Sequence, residues 1–394
     1  MKVKILVIDP SSYIQNDIMK ALKAIFGSDC ADVLQYTFKG KDVHNNSEYE
    51  EMFLEKTRDN SYDFVLSTNF YPVVARLCNE KGLKYLAWTY DTPMNVLPCD
   101  EMKYETNFIF LFDKLELKRY QDLGFERFYH MTLGVDTEKY SRIKANKRYA
   151  GDISFLGKLY RSKLPIVKYG LSTELIAYID KIVNVQKNIF GKYVVDDFIT
   201  QPILDEMNRQ YKVSGTGLVI NKEQLSYAIS EYVTYLDRLG LLEVMGRRHD
   251  VHLYTYDIGD TEKSFLKSVK IHGPLPYDTE MPVMFKSVKI NLSSSFRAAR
   301  SAISLRALDI FGCGGFLLSN AQPELEEYFD DRKEVVLFRS IDEAIELADY
   351  YLIHDDDERK RIANAGFERV RRDFRYEDKL KAMFKIAGID VQYI

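Results

Sequence analysis

The stretch "SFRAARSAISLRALDIFGCGGFLLSN", residues 295–320, is rich in groups that could do chemistry. Arg297, Arg300 and Arg306, with Ser293, Ser294 and Ser295 just ahead of them, surround the start of a predicted helix. Guanidinium cations and the unpaired N–H groups of a helix start together suit a phosphate. Asp309 falls late on that helix, just before Cys313 and Gly314. A helix C-terminus carries partial negative charge, so a carboxylate there needs compensation. Ile303, Ala307, Ile310 and Phe311 form an apolar stripe, with Arg306 and Asp309 off it at i, i+3 spacing. One reading is a surface Arg306–Asp309 pair, contributing about 0.3 kcal/mol. The other is a carboxylate facing a ligand that supplies hydroxyl donors.

Other candidates follow apolar runs that read as strands. "SFLGKLYR" ends a run in Gly157, with Lys158 and Arg161 beyond it. A glycine that permits a sharp turn beside two cations suits a diphosphate, and equally a turn with solvated charges. "AWTYDTP" ends in Asp91, ahead of Thr92 and Pro93. That carboxylate could act as a general base or fix an acceptor hydroxyl, or it could close an Asx-type turn before proline. Asp9 and Asp113 carry the same ambiguity, and "LGVD" at 133–136 reads as a turn.

The elements that must position these groups alternate. "KVKILVID", "DFVLST", "KYLAWTYD" and "NFIFLFD" read as strands, with "NDIMKALKAIF", "PVVARLCNEKG" and "KLELKRYQDLG" as helices among them. Such alternation predicts a parallel sheet covered by helices on both faces. "MTLGVDTEKYSRIKANKRYAG" reads as a polar linker. A second series then supplies "DISFLG", "HDVHLYTYD", "SVKIHG", "SVKINLSS", "GGFLLSN" and "EVVLFRS" as strands. Between its first two strands lies a helical insert at about 164–245. The organisation expected is a first Rossmann-like domain over 1–148, a second over 149–370 and a C-terminal helical segment, 371–394, that packs back on the first domain. Ligands of such sheets bind beyond the carboxyl ends of the strands. Two doubly wound domains would leave a cleft for them.

With 394 residues, 46% hydrophobic and 29% charged, the chain suits a globular protein of two domains. A net charge of −4 gives no reason to expect nucleic acid as a partner. Cys30, Cys78, Cys99 and Cys313 are scattered without a C-x-x-C pair, which fits a reduced protein without a structural zinc site. His249 and His252 are close but have no third ligand nearby. "HDDDE" at 354–358 reads as a helix start rather than a metal motif. Neither a signal peptide nor a membrane-spanning run is present in the sequence, so a cytoplasmic location is expected.

Taken in order, "SFLGKLYR", "HGPLPYDTEMPVMFKSVKINLSSS", "LRALDIFGCGGFLLSN" and "LADYYLIHDDDERKRIANAG" resemble the C-terminal domain of the CgeB-type (spore-maturation-like) glycosyltransferases. "AWTYDTP", "FLFD" and "LGVD" fall where that family has similar segments, and the likeness spans nearly the whole chain except the insert. It implies a GT-B fold, an α/β architecture of two Rossmann-like domains facing a cleft. The donor would be a nucleotide-sugar, a UDP-sugar by preference, held by the second domain, with a protein or glycan acceptor on the first. It also implies no bound metal or other cofactor. Related GT-B enzymes carry a glutamate before "a-C-G" that binds the donor ribose, and Asp309 takes that place ahead of Cys313 and Gly314. The earlier acidic residue of the related E-x7-E pattern falls at Ser301. By the same resemblance Gly157, Lys158, Arg161 and Arg300 would face the diphosphate. The "IHGPLP" segment, with Gly273, would lie by the nucleobase, and Asp91 would serve as base. The contrasting expectation is a non-catalytic GT-B-like protein that binds a nucleotide-sugar or a glycan. A homodimer is compatible with either.

Overall fold

The computed structural model describes residues 3–354 and 356–390. The chain forms two compact units, Met1–Asp136 together with Val370–Ile394, and Thr137–Arg369. The division therefore falls after Asp136, ahead of the boundary at 148 expected from the polar stretch. That stretch is itself structured: a short helix spans Thr137–Ser141, and a 3-10 turn spans Lys147–Tyr149.

The first unit is a six-stranded sheet of β1 (Ile5–Asp9), β2 (Ala31–Gln35), β3 (Phe64–Thr68), β4 (Lys84–Trp88), β5 (Asn107–Leu111) and β6 (Phe128–His130). Its order is β2-β1-β3-β4-β5-β6, and every pairing is parallel. Strands covered by helices on both faces read as largely apolar runs. The "FVLST" of β3 and the "NFIFL" of β5 are buried at every position. The C-terminal segment returns to this unit. Its helix Tyr376–Ile386 sets Phe384 against Phe26 and Phe64, each at 5.3 Å between ring centroids. Tyr376 meets Trp88 edge-on at 5.9 Å. Gly134 of the "LGVD" turn is needed for this docking, since a Cβ there would lie 2.9 Å from the Tyr376 ring. Asp136 of the same turn accepts from Lys20 at 2.6 Å.

The second unit has a parallel sheet of β7 (Gly151–Leu156), β8 (Val251–Tyr254), β9 (Lys270–His272), β10 (Val288–Ser293), β11 (Leu317–Asn320) and β12 (Val336–Phe338). Its order is β12-β11-β10-β7-β8-β9. Between β7 and β8 the chain builds helices Leu164–Lys168, Thr173–Lys187, Val195–Phe198, Gln201–Ser214 and Lys222–Gly246. These bury a core of their own around Ile179, Met207, Leu225 and Ile229. The last helix is long because it has two tasks. Its first half closes that core, and its second half packs Leu241, Leu242 and Met245 into the core beside the sheet. A capping box between Asn221 and Gln224 fixes where it starts. The helix that begins within "HDDDE" spans Asp356–Asp373, and residue 355 of that motif lies outside the described residues. Among the described residues, no helix is long and apolar enough to cross a membrane.

Candidate functional site

In the second sheet β7 and β10 are neighbours, and the chain builds outward from them in opposite directions. Their carboxyl ends therefore flank a topological switch point, where such sheets bind ligands. The turn after β7 begins with Gly157, whose N–H donates to the Tyr254 carbonyl at 3.1 Å. A side chain at Gly157 would meet only ordinary contacts, the nearest at 3.5 Å. The sharp bend expected there is made instead by Tyr160, with φ at +63°. Asp257 holds that conformation, accepting from the Tyr160 N–H at 2.9 Å and from Arg161 Nε at 3.0 Å. The Tyr160 ring stacks on Phe296, beyond β10, at 4.4 Å and 7°.

Arg238, on helix Lys222–Gly246, completes this assembly. Its buried guanidinium donates to the Lys158 carbonyl after β7 and to the Ser294 carbonyl after β10. It also lies 4.9 Å from the centre of the Tyr160 ring. One side chain thus ties together the two strand-end turns, and burial pushes its pKa below the usual arginine range. Sequence reasoning missed it because its helix belongs to the insert. Lys158 is exposed beside the same turn. The Tyr256 hydroxyl beside its ammonium holds its pKa above the ordinary lysine value.

Arg306 lies in the first turn of the helix after β10, but Arg297 and Arg300 do not gather there. The helix spans Leu305–Gly312, with the Ser304 hydroxyl capping the Ala307 N–H at 3.2 Å. Arg297 is buried against Asp237, with Nε–Oδ2 at 2.6 Å. Arg300 pairs with Asp196 of the insert at 2.6 Å and covers the Tyr193 ring at 4.8 Å. These carboxylates, remote in sequence, draw both guanidiniums toward the insert. Arg161 likewise pairs with Asp257, and contact with that carboxylate raises its pKa. Ser301 donates to the buried Glu324 at 2.7 Å.

Asp309 is buried, at 1% exposure. The Arg306 pair forms at 3.2 Å, yet it is no surface pair. Oδ1 also accepts from the Tyr277 hydroxyl at 2.7 Å and from Tyr140 at 3.3 Å. The expectation that Asp309 lies off the buried face is therefore corrected, because residues 140 and 277 cover that side of the helix. Tyr277 belongs to the exposed segment that begins at Gly273. Asp278 and Glu280 hold that segment, accepting from Lys139 at 2.5 Å and from Tyr149 at 2.6 Å. Gly314 has φ at +70° and follows the helix end, where Cys313 N–H donates to the Asp309 carbonyl at 3.0 Å. That helix end lies where β11 begins, at the amino ends of the strands. The glycine thus serves a left-handed helix cap, and the carboxylate sits mid-helix.

In the first unit Asp91 is exposed after β4. Its Oδ2 accepts from Asn69 Nδ2 at 2.8 Å and from Asn95 Nδ2 at 2.7 Å. Asn69, itself left-handed with φ at +70°, accepts the Tyr90 and Asp91 N–H groups on Oδ1. Two amides thus aim one carboxylate. Buried Glu116 fixes the turn beyond, accepting from Thr92 Oγ1 at 2.6 Å and the Met94 N–H at 2.7 Å. Asp113 caps helix Lys114–Asp122, and Asp9 closes a turn on the Ser11 and Ser12 N–H groups. His249 and His252 face different partners, Asp349 at 2.7 Å and His272 at 3.0 Å.

Residues 238–385 match a family model described as glycosyl transferase-like. That stretch runs from Arg238 through β8 to β12 and on into helix Tyr376–Ile386, so it spans most of the second sheet and reaches the first unit. No curated protein matches the sequence. Solved structures match along nearly the whole chain. A glycosyltransferase from Rickettsia africae is 11% identical, with 98% of each chain covered and a TM-score of 0.56. Sucrose-phosphate synthase from Thermosynechococcus elongatus is also 11% identical, with 98% of each chain covered and a TM-score of 0.55. Anabaena Alr3699/HepE in complex with UDP-glucose is 10% identical, covering 98% of this chain and 99% of its own, with a TM-score of 0.53. The fold is thus the GT-B fold, two doubly wound α/β sheets with flanking helices.

Proposed function

We propose that this protein is a glycosyltransferase that moves a sugar from a nucleotide-sugar, a UDP-sugar, to a hydroxyl of a protein or glycan acceptor. The observation that carries the reading is the switch point of the second sheet. There Arg238 holds two strand-end turns together, and Lys158 stands exposed beside them. The glycosyl transferase-like match over residues 238–385 supports it, as does the structural likeness to a protein solved in complex with UDP-glucose. The order of sequence segments favours the CgeB-type branch. Thiols unpaired with one another at Cys30, Cys78, Cys99 and Cys313 suit a reducing cytoplasm.

In the proposed reaction the acceptor oxygen attacks the anomeric carbon while the bond from that carbon to the diphosphate oxygen breaks. The acceptor proton passes to Asp91, whose hydrogen bonds from Asn69 and Asn95 hold it aimed. The diphosphate leaves with the bonding electron pair. The Lys158 ammonium stabilises the charge that develops, and no bound metal is needed for that task. The ribose hydroxyls donate to Asp309 in place of the Tyr277 hydroxyl, and the segment from Gly273 flanks the base.

Calorimetric titration with UDP, GDP, dTDP and CMP, without metal, tests the donor assignment. UDP is expected to bind in the micromolar range, and Asp309→Asn to weaken it by about 1–3 kcal/mol, the worth of hydrogen bonds to a charged group. Absence of binding by all four nucleotides rejects the donor site. Unchanged affinity in Asp309→Asn removes the ribose role and leaves the carboxylate a structural one.

A further inference from the structure

The scattered cysteines and histidines form no metal motif in the sequence, but the fold of the first unit brings three ligand types together. His44, Cys99 and Glu101 each offer one donor atom, and the three atoms lie within 4.8 Å of one another. Two loops meet there, one between β2 and helix Ser47–Lys56, the other between β4 and the 3-10 helix Asp100–Lys103. Both are held from within. Asp42 accepts the His44 and Asn45 N–H groups at 2.8 and 3.2 Å, and the Val73 N–H donates to the Val43 carbonyl at 3.0 Å. On the other side, the Met102 N–H donates to the Cys99 carbonyl at 3.3 Å.

We propose that His44 Nδ1, Cys99 Sγ and a Glu101 carboxylate oxygen bind one zinc ion, with water in the fourth position. Tetrahedral zinc with bonds of about 2.0 Å to nitrogen and oxygen separates those two ligands by about 3.3 Å. Here His44 Nδ1 stands 3.5 Å from Glu101 Oε1. A thiolate and a carboxylate together balance a divalent charge. One sulfur, one imidazole and only one carboxylate select zinc over magnesium or calcium, which demand more oxygen ligands. The site is open to water, with the side chains of His44 and Glu101 42% and 22% exposed. Zinc would bind Cys99 as the thiolate, with release of its proton. The ion would clamp the loop that begins at Asp91 to the neighbouring loop. Its site is independent of the donor assignment, whose residues lie in the second unit.

The test uses the full chain, stripped with a chelator and titrated with Co²⁺ as a spectroscopic probe. A thiolate-to-cobalt charge-transfer band that saturates at one equivalent and is displaced by Zn²⁺ is the expected result. Cys99→Ser should abolish the band, and His44→Ala should weaken binding at least tenfold. Cys30, Cys78 and Cys313 are buried, so single serine variants there should keep the band. Zinc should also raise the melting temperature of the parent chain and leave that of Cys99→Ser unchanged. No band, or a band that survives in both Cys99→Ser and His44→Ala, overturns the proposal. A circular dichroism spectrum unchanged in either variant shows that loss of the band is not loss of fold.

Discussion

The turns beyond β3 and β4 of the first sheet present a carboxylate aimed by amides, whereas the turn beyond β7 of the second presents an exposed cation, Lys158. The two sheets share strand number and parallel pairing, and they differ in what their carboxyl ends offer. In the first, Asn69 and Asn95 direct their amides at Asp91. In the second, exposed Lys158 follows β7, and buried Arg238 joins the turns after β7 and β10. A parallel sheet fixes where a ligand can sit, and the loops fix its charge. An acceptor-rich end suits a hydroxyl that must lose a proton. A cation-rich end suits a diphosphate.

The largest effect expected from breaking this contrast is at Asp91. Asp91→Asn keeps the shape and the Asn69 contact but cannot take a proton. Transfer should fall by about 10²–10⁴-fold, the range of a general base, while UDP affinity stays within twofold. Steady-state rates beside calorimetry measure both. If transfer survives, the first sheet contributes only acceptor binding, and the contrast loses its chemical meaning. If transfer and UDP binding fall together, the two ends are not separable in function.

The next effect is at Arg238. Arg238→Met keeps the length of the side chain and removes the donors to two buried carbonyls. Leaving these unsatisfied should cost about 2–4 kcal/mol of stability. UDP binding should weaken as the turns carrying Lys158 and Phe296 part. Thermal unfolding and calorimetry read the two separately. A variant that loses stability yet binds UDP as before would make Arg238 a core residue and leave Lys158 as the only cation the contrast needs.

Much of this was legible in the sequence, and the failures share a cause. All six strands of the second sheet were readable, and β8, β11 and β12 are buried at every position. In the first sheet four were readable. β2, "ADVLQ", and β6, "FYH", were missed, and each buries only one residue fully. Lys158 and Asp91 were found as charged groups following strands, a strictly local signal. Arg238, Tyr277 and the His44–Cys99–Glu101 cluster were not, since each acquires its meaning from residues distant in sequence. Asp309 shows the limit most clearly. A helical stripe predicts which side of a helix is buried against one neighbour, and it says nothing of a second neighbour such as Tyr140 or Tyr277.

The smallest effect, and the one that sharpens the contrast most, is at Tyr277. If the second sheet's ligand brings hydroxyls to Asp309, they compete with the Tyr277 hydroxyl, which lies 2.7 Å from Oδ1. Tyr277→Phe removes that competitor and keeps the ring, so UDP should bind tighter by about 1 kcal/mol, near fivefold. The gain should vanish for 2′,3′-dideoxy-UDP, which has no hydroxyls to offer. An equal gain for both nucleotides would mean that the 273–280 segment has merely loosened. A loss for both would mean that the Tyr277 hydroxyl itself contacts the donor. Only the selective gain ties the buried carboxylate of the second sheet to a ribose. It would also explain why a site built to hold anions with cations retains one acid: the diphosphate needs positive charge, and the diol beside it needs an acceptor.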